Sequence, residues 1–195
     1  MGNKIAEMRK KLSKINKKMP RDELERHIVE FLDSHDMCVL ATSKDNIPRA
    51  TPIRYGSKGT TLYMTGDPGT KLDNIRANPR VSIGIHDPRT SWLSVKGVQI
   101  TGQATIINED NPEYEESLRI YKFYERLKEV IKEIGEVTGI EIPEEVLGEK
   151  PSGALAIIKV EAKKIELMES ALVQRGYDAR QVWEAQPRKA QLSSH

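Results

Sequence analysis

The sequence predicts a mainly β fold with peripheral helices (α+β), in which six short strands form a small antiparallel barrel. Two observations support this prediction. The segments with alternating or continuous apolar residues are short, and turns that contain glycine or proline separate them. Few segments have the spacing of apolar residues that is typical of a helix. With 195 residues, the chain can bury a sizeable core in one principal domain with attachments.

The composition indicates neither a strongly charged partner nor a segment that spans a membrane. The formal net charge is +2 and the mean hydropathy is -0.56, so bulk charge does not indicate a nucleic acid. No run of about 18 apolar residues occurs, and no apolar stretch follows the N-terminal charges as in a secretory signal. The single cysteine, Cys38, excludes an internal disulfide and is expected to be a buried, inert thiol. We expect a cytoplasmic protein.

Residues 1–19 have the pattern of a basic amphipathic helix. Lysine and arginine fill most positions between apolar residues that recur at steps of three and four: Ile5, Met8, Leu12, Ile15 and Met19. This helix could dock on its own domain or on a dimer partner, or it could bind a membrane surface or a nucleic acid. The lack of interleaved aromatic residues favours docking, so neither a membrane nor a nucleic acid is expected as a partner.

The principal domain is predicted for residues 20–170 and begins with a second helix. Pro20 and the acids Asp22 and Glu23 are typical of a first helical turn, and the helix is expected to end near His35. Its buried face is predicted to consist of four apolar residues: Leu24, Ile28, Phe31 and Leu32.

Six strands are predicted to follow, at residues 37–42, 47–55, 60–65, 81–86, 98–106 and 154–168. The second contains Pro48 and Pro52, so it lies at an edge, is bulged or faces a ligand. Gly97 and Gly102 in the fifth indicate a bend or a close backbone approach. The apolar parity of the sixth shifts, which predicts a bulge near Lys163-Lys164. A short helix over residues 70–78, stopped by Pro79, joins the third and fourth strands.

A helical insertion is predicted at residues 109–150, between the fifth and sixth strands. A long helix begins at Asn111-Pro112 and ends around residues 135–139, and residues 143–147 add a turn. Its apolar stripe contains Tyr114, Leu118, Tyr121, Tyr124, Leu127, Ile131 and Ile134. The insertion is acidic and could pack against the basic N-terminal helix. Residues 171–195 are predicted to be a polar C-terminal tail.

Basic and hydroxyl groups cluster at the strand ends around the loop that opens the short helix. Arg49 and Lys71 supply charge, Thr65 and Thr70 supply hydroxyl groups, and the helix N-terminus near Thr70 supplies backbone N–H groups. This combination predicts a seat for a ligand phosphate without a P-loop. The alternative is that Arg49 and Arg54 are solvated strand residues and that Lys71 is a surface lysine.

The chain resembles the pyridoxamine 5′-phosphate oxidase-like family of FMN-binding split barrels over roughly residues 24–107, and as topology in the last strand. The resemblance rests on an ordered combination of motifs: Leu40-Ala41-Thr42, Ile47-Pro48-Arg49-Ala50-Thr51-Pro52, Leu62-Tyr63-Met64-Thr65, Lys71-Leu72-x-Asn74-Ile75, Asn78-Pro79-Arg80-Val81-Ser82, and Trp92 followed by Gly97 and Gly102-Gln103-Ala104. It implies an obligate homodimer of six-stranded split barrels, with two FMN sites at the dimer interface.

The resemblance also implies which residues bind the cofactor. The strand residues Arg49, Ala50, Thr51, Pro52, Ile53 and Arg54 would line the flavin, with Arg49 on the phosphate. Met64 and Thr65 match the next contact pair, and Thr70 and Lys71 match the phosphate-binding pair. Gly97 falls near a position at the ring edge, and Trp92 would cover the flavin from either subunit. No catalytic side chain and no metal ligand is predicted, because flavin hydride chemistry needs no protein nucleophile.

The resulting hypothesis is an FMN-dependent oxidoreductase that passes hydride or electrons between a reduced donor such as NAD(P)H and a small substrate. One alternative is a non-enzymatic module that binds flavin, the deazaflavin F420 or haem. Haem would need His86 as an axial ligand, and F420 would need a basic groove to which the N-terminal helix could contribute. A structural dimer without ligand is the third possibility. The tail around Trp183 matches poorly the substrate-binding end of the vitamin-forming oxidases, so synthesis of pyridoxal phosphate is not expected.

Overall fold

One curled antiparallel sheet dominates the computed structural model, which describes residues 7, 10–11, 16–87, 91, 94–140 and 155–186. Its eight strands are β1 (Met37–Lys44), β2 (Ile47–Arg54), β3 (Gly56–Lys58), β4 (Thr61–Gly66), β5 (Arg80–His86), β6 (Lys96–Ile107), β7 (Ala156–Glu169) and β8 (Arg180–Glu184). The order in the sheet is β2-β1-β5-β6-β7-β4-β3, and β8 pairs with β7. The sheet curls so that β2 contacts β4 without hydrogen bonding to it, which produces a half-barrel.

Between residues 16 and 140, the described part of the chain forms four α-helices: α1 (Arg21–Asp33), α2 (Thr70–Ala77), α3 (Tyr114–Tyr121) and α4 (Phe123–Thr138). A 3-10 helix, Ser170–Arg175, follows β7. The predicted buried face of α1 is confirmed, because its four apolar residues pack into the main core. None of the helices in the described ranges is both long and apolar enough to cross a membrane.

The predicted details of the strands are confirmed at three places. β2, with its two prolines, is an edge strand. On β7, Lys164 lies opposite Thr101 and Ala162 lies opposite Gly102, so Lys163 is the extra residue of a bulge. Gly102 is required by close packing, because a Cβ atom there would lie 2.7 Å from Cγ1 of Val160.

The number of strands differs from the prediction, since the sheet has eight strands and not six. Residues 56–58, which lie between the predicted strands 47–55 and 60–65, form β3, and the predicted polar tail contains β8. The pattern of β8 hid it, because its inward residues are the polar Gln181 and the single aromatic Trp183, which lies in the main core.

The helical regions also differ from their predictions. The long insertion helix is two helices, because Lys122 adopts a left-handed conformation (φ 59°, ψ 44°) that ends α3 and starts α4. Residues 16–19 are not helical, because the Met19 N–H donates to Gln181 Oε1 and the Lys17 carbonyl accepts from the Asp178 N–H. The rest of the predicted N-terminal helix lies largely outside the described residues, as do residues 141–150 and 187–195.

Candidate functional site

The short helix α2 is fastened to the end of β1 by two buried or half-buried asparagines. Asn74 Nδ2 donates to Thr42 Oγ1 at 3.1 Å, and both residues are buried. One helical turn later, Asn78 Nδ2 donates to Ser43 Oγ at 3.0 Å. Thr42 lies opposite Arg49 in the β1–β2 ladder. These bonds therefore hold α2 against the end of β1, the strand that pairs with the start of β2.

The N-terminus of α2 sits directly on the end of β4. A Cβ atom at Gly66, the last residue of β4, would lie 2.8 Å from Cδ2 of Leu72 in α2. Thr70 is exposed at the first position of the helix, and Lys71 is half-buried beside it. Neither side chain has a hydrogen-bond or ion-pair partner among the residues that the structure describes. The helix end therefore offers a free ammonium group, a free hydroxyl group and first-turn N–H groups to an anion.

The edge strand β2 presents most of its side chains to the surface. Arg49, Ala50, Pro52 and Arg54 are exposed, whereas Thr51 and Ile53 are half-buried, and Ile53 packs against the main core. Arg49 has no partner among the described residues.

Arg54, at the other end of β2, is engaged by acids. Its Nε lies 3.3 Å from Asp36 Oδ2, and its Nη1 lies 4.0 Å from Glu129 Oε2. The two arginines of this strand thus differ, because the charge of Arg49 is available to an anion and that of Arg54 is partly balanced.

The remaining predicted residues fall in three different places. Met64 is fully buried in the core, so its side chain does not reach the surface. Thr65 is half-buried, and its hydroxyl group donates to the Tyr121 hydroxyl oxygen at 3.3 Å. Gly97 lies on the outer face of the sheet, where it lines an open groove of about 720 Å³ with Val39, His86 and Val182. No other described member of the predicted site lines this groove, and Trp92 lies outside the described residues.

Residues that the sequence analysis did not place at the site also reach it. The sequence places Asn74 only in a family motif and assigns it no role at the site. Its spacing of four from Asn78 is a signal that could have found it, because this spacing puts both amides on one helix face. Tyr121 was assigned to an apolar stripe, and Arg126 was not singled out. Arg126 Nη2 donates to the Tyr55 carbonyl at 2.7 Å, and its guanidinium carbon lies 4.4 Å from the Tyr121 ring centroid.

The buried thiol and phenol next to β2 are held in their neutral forms. Burial raises the pKa of Cys38 from its ordinary value of 9.0 to about 12. Burial also raises the pKa of Tyr55, whose hydroxyl group donates to the Leu32 carbonyl at 2.7 Å. Cys38 is therefore a core residue with almost no thiolate at neutral pH, and it does not provide a nucleophile.

The curled antiparallel half-barrel with peripheral helices defines a protein of the split-barrel class. Residues 24–169 match the family model described as pyridoxamine 5′-phosphate oxidase, which covers most of the chain. The protein therefore belongs to the pyridoxamine 5′-phosphate oxidase-like family, as its resemblance predicted.

Individual relatives are more distant. An uncharacterized protein of Rhizobium meliloti (strain 1021) is 37% identical over 70 residues, which is 35% of this chain and 44% of that protein. A FAD-binding protein from Mesorhizobium loti has a TM-score of 0.50 at 20% identity, over 73% of this chain and 89% of that one. A heme-binding protein from Mycobacterium smegmatis has a TM-score of 0.52 at 14% identity, over 77% and 55% of the two chains. These structures share the fold, which serves flavin binding in one case and heme binding in the other.

Proposed function

We propose that this chain is a cytoplasmic, homodimeric FMN-binding oxidoreductase that passes hydride or electrons between a reduced donor such as NAD(P)H and a small substrate. The observation that carries the proposal is a pair of cations, Arg49 and Lys71, that have no partner among the described residues and lie on elements flanking the β1–α2 junction. Phosphate is the dianion that such a pair beside a helix N-terminus binds best.

The residues around this junction suit the rest of the cofactor. The free edge of β2 leaves main-chain groups available along one side of the strand, and these can bind the polar edge of a flavin ring. Thr70 adds a hydroxyl group at the phosphate, and Arg54 adds charge at the far end of β2. Bound FMN would supply hydride and single-electron chemistry, while these residues would hold and orient it.

A homodimer with the site at its interface would explain the position of Gly97. Gly97 lies in the outer groove, away from the other described site residues, so the groove of a second copy could bring it to the ring edge. Val39 and Val182 in this groove are 40% and 46% exposed, which suits coverage by a partner subunit. Burial of this face in a dimer is therefore part of the proposal.

A non-enzymatic haem-binding module is the second candidate, and His86 favours it. His86 is exposed in the outer groove and uses Nδ1 to contact the Asp87 carbonyl at 3.0 Å. Its Nε2 has no partner within the described part of the chain, so it could ligate an iron from that groove. Flavin is preferred because neither Arg49 nor Lys71 lines the groove that holds His86. F420 binding would be a third form of the same module.

The deciding experiment combines an absorption spectrum of the purified protein with mass identification of the cofactor that heat releases. Oxidised-flavin bands and released FMN would support the proposal, and bleaching by NAD(P)H would support the oxidoreductase role. A Soret band abolished by His86→Ala would favour haem. A colourless protein that takes up no added FMN would refute the flavin proposal.

A charge-removal series then tests the phosphate seat. Arg49→Ala and Lys71→Ala should each weaken FMN binding by about 10- to 100-fold, since a hydrogen bond to a charged group contributes ~1.5–3 kcal/mol. Arg76→Ala is the matched control on α2, because its exposed ion pair with Asp73 contributes little. Equal affinity in all three variants would show that the phosphate binds elsewhere. Light scattering at several concentrations tests the homodimer.

A further inference from the structure

We infer that the helical insertion supplies a ligand-binding residue, Tyr121, whose hydroxyl group acts together with Thr65 as one hydrogen-bond donor to the flavin ring. This inference rests on the proposed function, because it assigns a contact within the same site. It gives the α3–α4 pair a role at the cofactor.

The donor follows from counting protons on the two hydroxyl groups. Thr65 Oγ1 donates to the Tyr121 hydroxyl oxygen at 3.3 Å, so this bond uses one of the two O–H protons. The Tyr121 proton has no acceptor among the described residues. The Tyr121 O–H group is therefore available to a ligand, its oxygen is oriented by the Thr65 hydroxyl group, and half-buried Thr65 gives the pair access to the surface.

Tyr121 is held rigidly at this position. The residue is 7% exposed and packs in a satellite core with Tyr63 and Ile157. The guanidinium of Arg126 lies over the ring, 4.4 Å from its centroid, and the same side chain is tied to the Tyr55 carbonyl. The end of α3 also presses on β3, since a Cβ atom at Gly56 would lie 2.9 Å from the Tyr121 Cα. A fixed donor loses little entropy when it binds a ligand.

The position of the pair points to the flavin ring. Tyr55, to which Arg126 is tied, directly follows Arg54 at the far end of β2, whereas Thr65 precedes the loop that leads to Lys71. Arg126 thus links the Tyr121 ring to the end of the strand proposed for the flavin ring, and Thr65 precedes in the sequence the residues proposed for the phosphate. A neutral O–H group there suits a ring carbonyl or ring nitrogen, which accepts a hydrogen bond.

The test uses two single-group deletions and a matched control on the same helix. Tyr121→Phe and Thr65→Val each remove one hydroxyl group. Tyr114→Phe removes the hydroxyl of another buried tyrosine of α3, which donates to the Leu155 carbonyl at 3.1 Å. FMN affinity, the flavin absorption maxima and the midpoint potential are measured for each variant, with thermal unfolding as the check of folding.

Tyr121→Phe should weaken FMN binding by about 3- to 10-fold and shift the flavin absorption maxima, as expected for one lost hydrogen bond. Thr65→Val should have a similar effect, because it removes the bond that orients the Tyr121 hydroxyl group, and the double variant should be little worse than Tyr121→Phe, which has already lost the donor. Tyr114→Phe should stay within about twofold of the wild type.

Wild-type affinity and an unchanged spectrum in Tyr121→Phe would overturn the inference while leaving the proposed function in place. A wild-type protein that takes up no FMN would overturn both. If Tyr121→Phe does not fold, Thr65→Val decides, because equal affinity in that variant also overturns the inference.

Discussion

The C-terminal strand β8 should be an integral part of the fold, and Trp183→Ala tests this. Trp183 is 5% exposed, lies opposite Ile165 on β7, and belongs to the main core. Its Nε1 donates to Glu25 Oε2 of α1 at 2.8 Å, and the Arg21 guanidinium lies 5.5 Å from the ring centroid. The indole therefore joins the sheet to α1, and its removal leaves both a cavity and an unpaired carboxylate.

The expected loss of unfolding free energy can be worked from these contacts. Truncation of a buried tryptophan to alanine costs ~3–5 kcal/mol in well-packed cores. The polar edge of this indole reaches a half-buried carboxylate that water can solvate once the indole is removed, so we take the lower end, about 3 kcal/mol. Small domains have only ~5–15 kcal/mol in total, so the transition midpoint should fall markedly. Trp183→Phe, which keeps an aromatic ring but loses the N–H donor, should cost about 1 kcal/mol.

The assay is equilibrium unfolding in urea, followed by far-ultraviolet circular dichroism because the substitution removes a tryptophan fluorophore. The free energies of unfolding of wild type, Trp183→Ala and Trp183→Phe are compared at equal m-values. A change below about 1 kcal/mol for Trp183→Ala would refute the reasoning, since losses that small are typical of residues outside the core. β8 would then be a loosely attached strand.

Two further predictions concern the thiol and a glycine. Cys38 should resist thiol reagents near pH 8 until urea unfolds the chain. Because burial raises the pKa of Cys38 from 9.0 to about 12 in the folded state, the thiol of the unfolded chain ionises first as the pH rises. The stability contributed by the neutral thiol should therefore be lost between those two pH values. If the difference in unfolding free energy between the wild type and Cys38→Ala did not change with pH, this prediction would be contradicted. Gly102→Ala should destabilise the fold by about 1–3 kcal/mol in urea unfolding, because its Cβ would clash with Val160. Gly84→Ala, with open space around its Cβ, is the control, and equal losses in both would exclude the clash as the cause.

The parts of the fold that the sequence predicted correctly are those specified by local patterns. The apolar face of α1 follows from a period near 3.6, and the alternation in β6 follows from the period of two. Even the bulge at Lys163 was visible, because an extra residue reverses the parity of every later side chain on β7. β8 was missed because its inward residues become buried only through contacts with α1, about 160 positions earlier in the chain.

In the candidate site, too, some residues could be predicted from the sequence, whereas others depend on contacts between distant elements. Arg49, Thr70 and Lys71 could be proposed from their chemistry, since cations and hydroxyl groups beside a helix start suit phosphate. The inward direction of Met64 could not be read from the sequence, because β4 is buried on both faces: α3 covers Tyr63 on one face, and Met64 lies in the main core on the other. Tyr121 fits an apolar stripe equally well, and only the three-dimensional structure shows its hydroxyl group beside Thr65.

The central position of β7 has a consequence for the order of folding during synthesis. β7 pairs with β6 on one side and β4 on the other, yet it is made after both of them and after the helical insertion. A nascent chain that ends before residue 156 therefore holds two strands with open edges facing a gap. Chains stalled at that length would be prone to intermolecular strand pairing through these edges. The acidic insertion precedes β7 in the sequence, and it is therefore synthesised while both edges are still exposed.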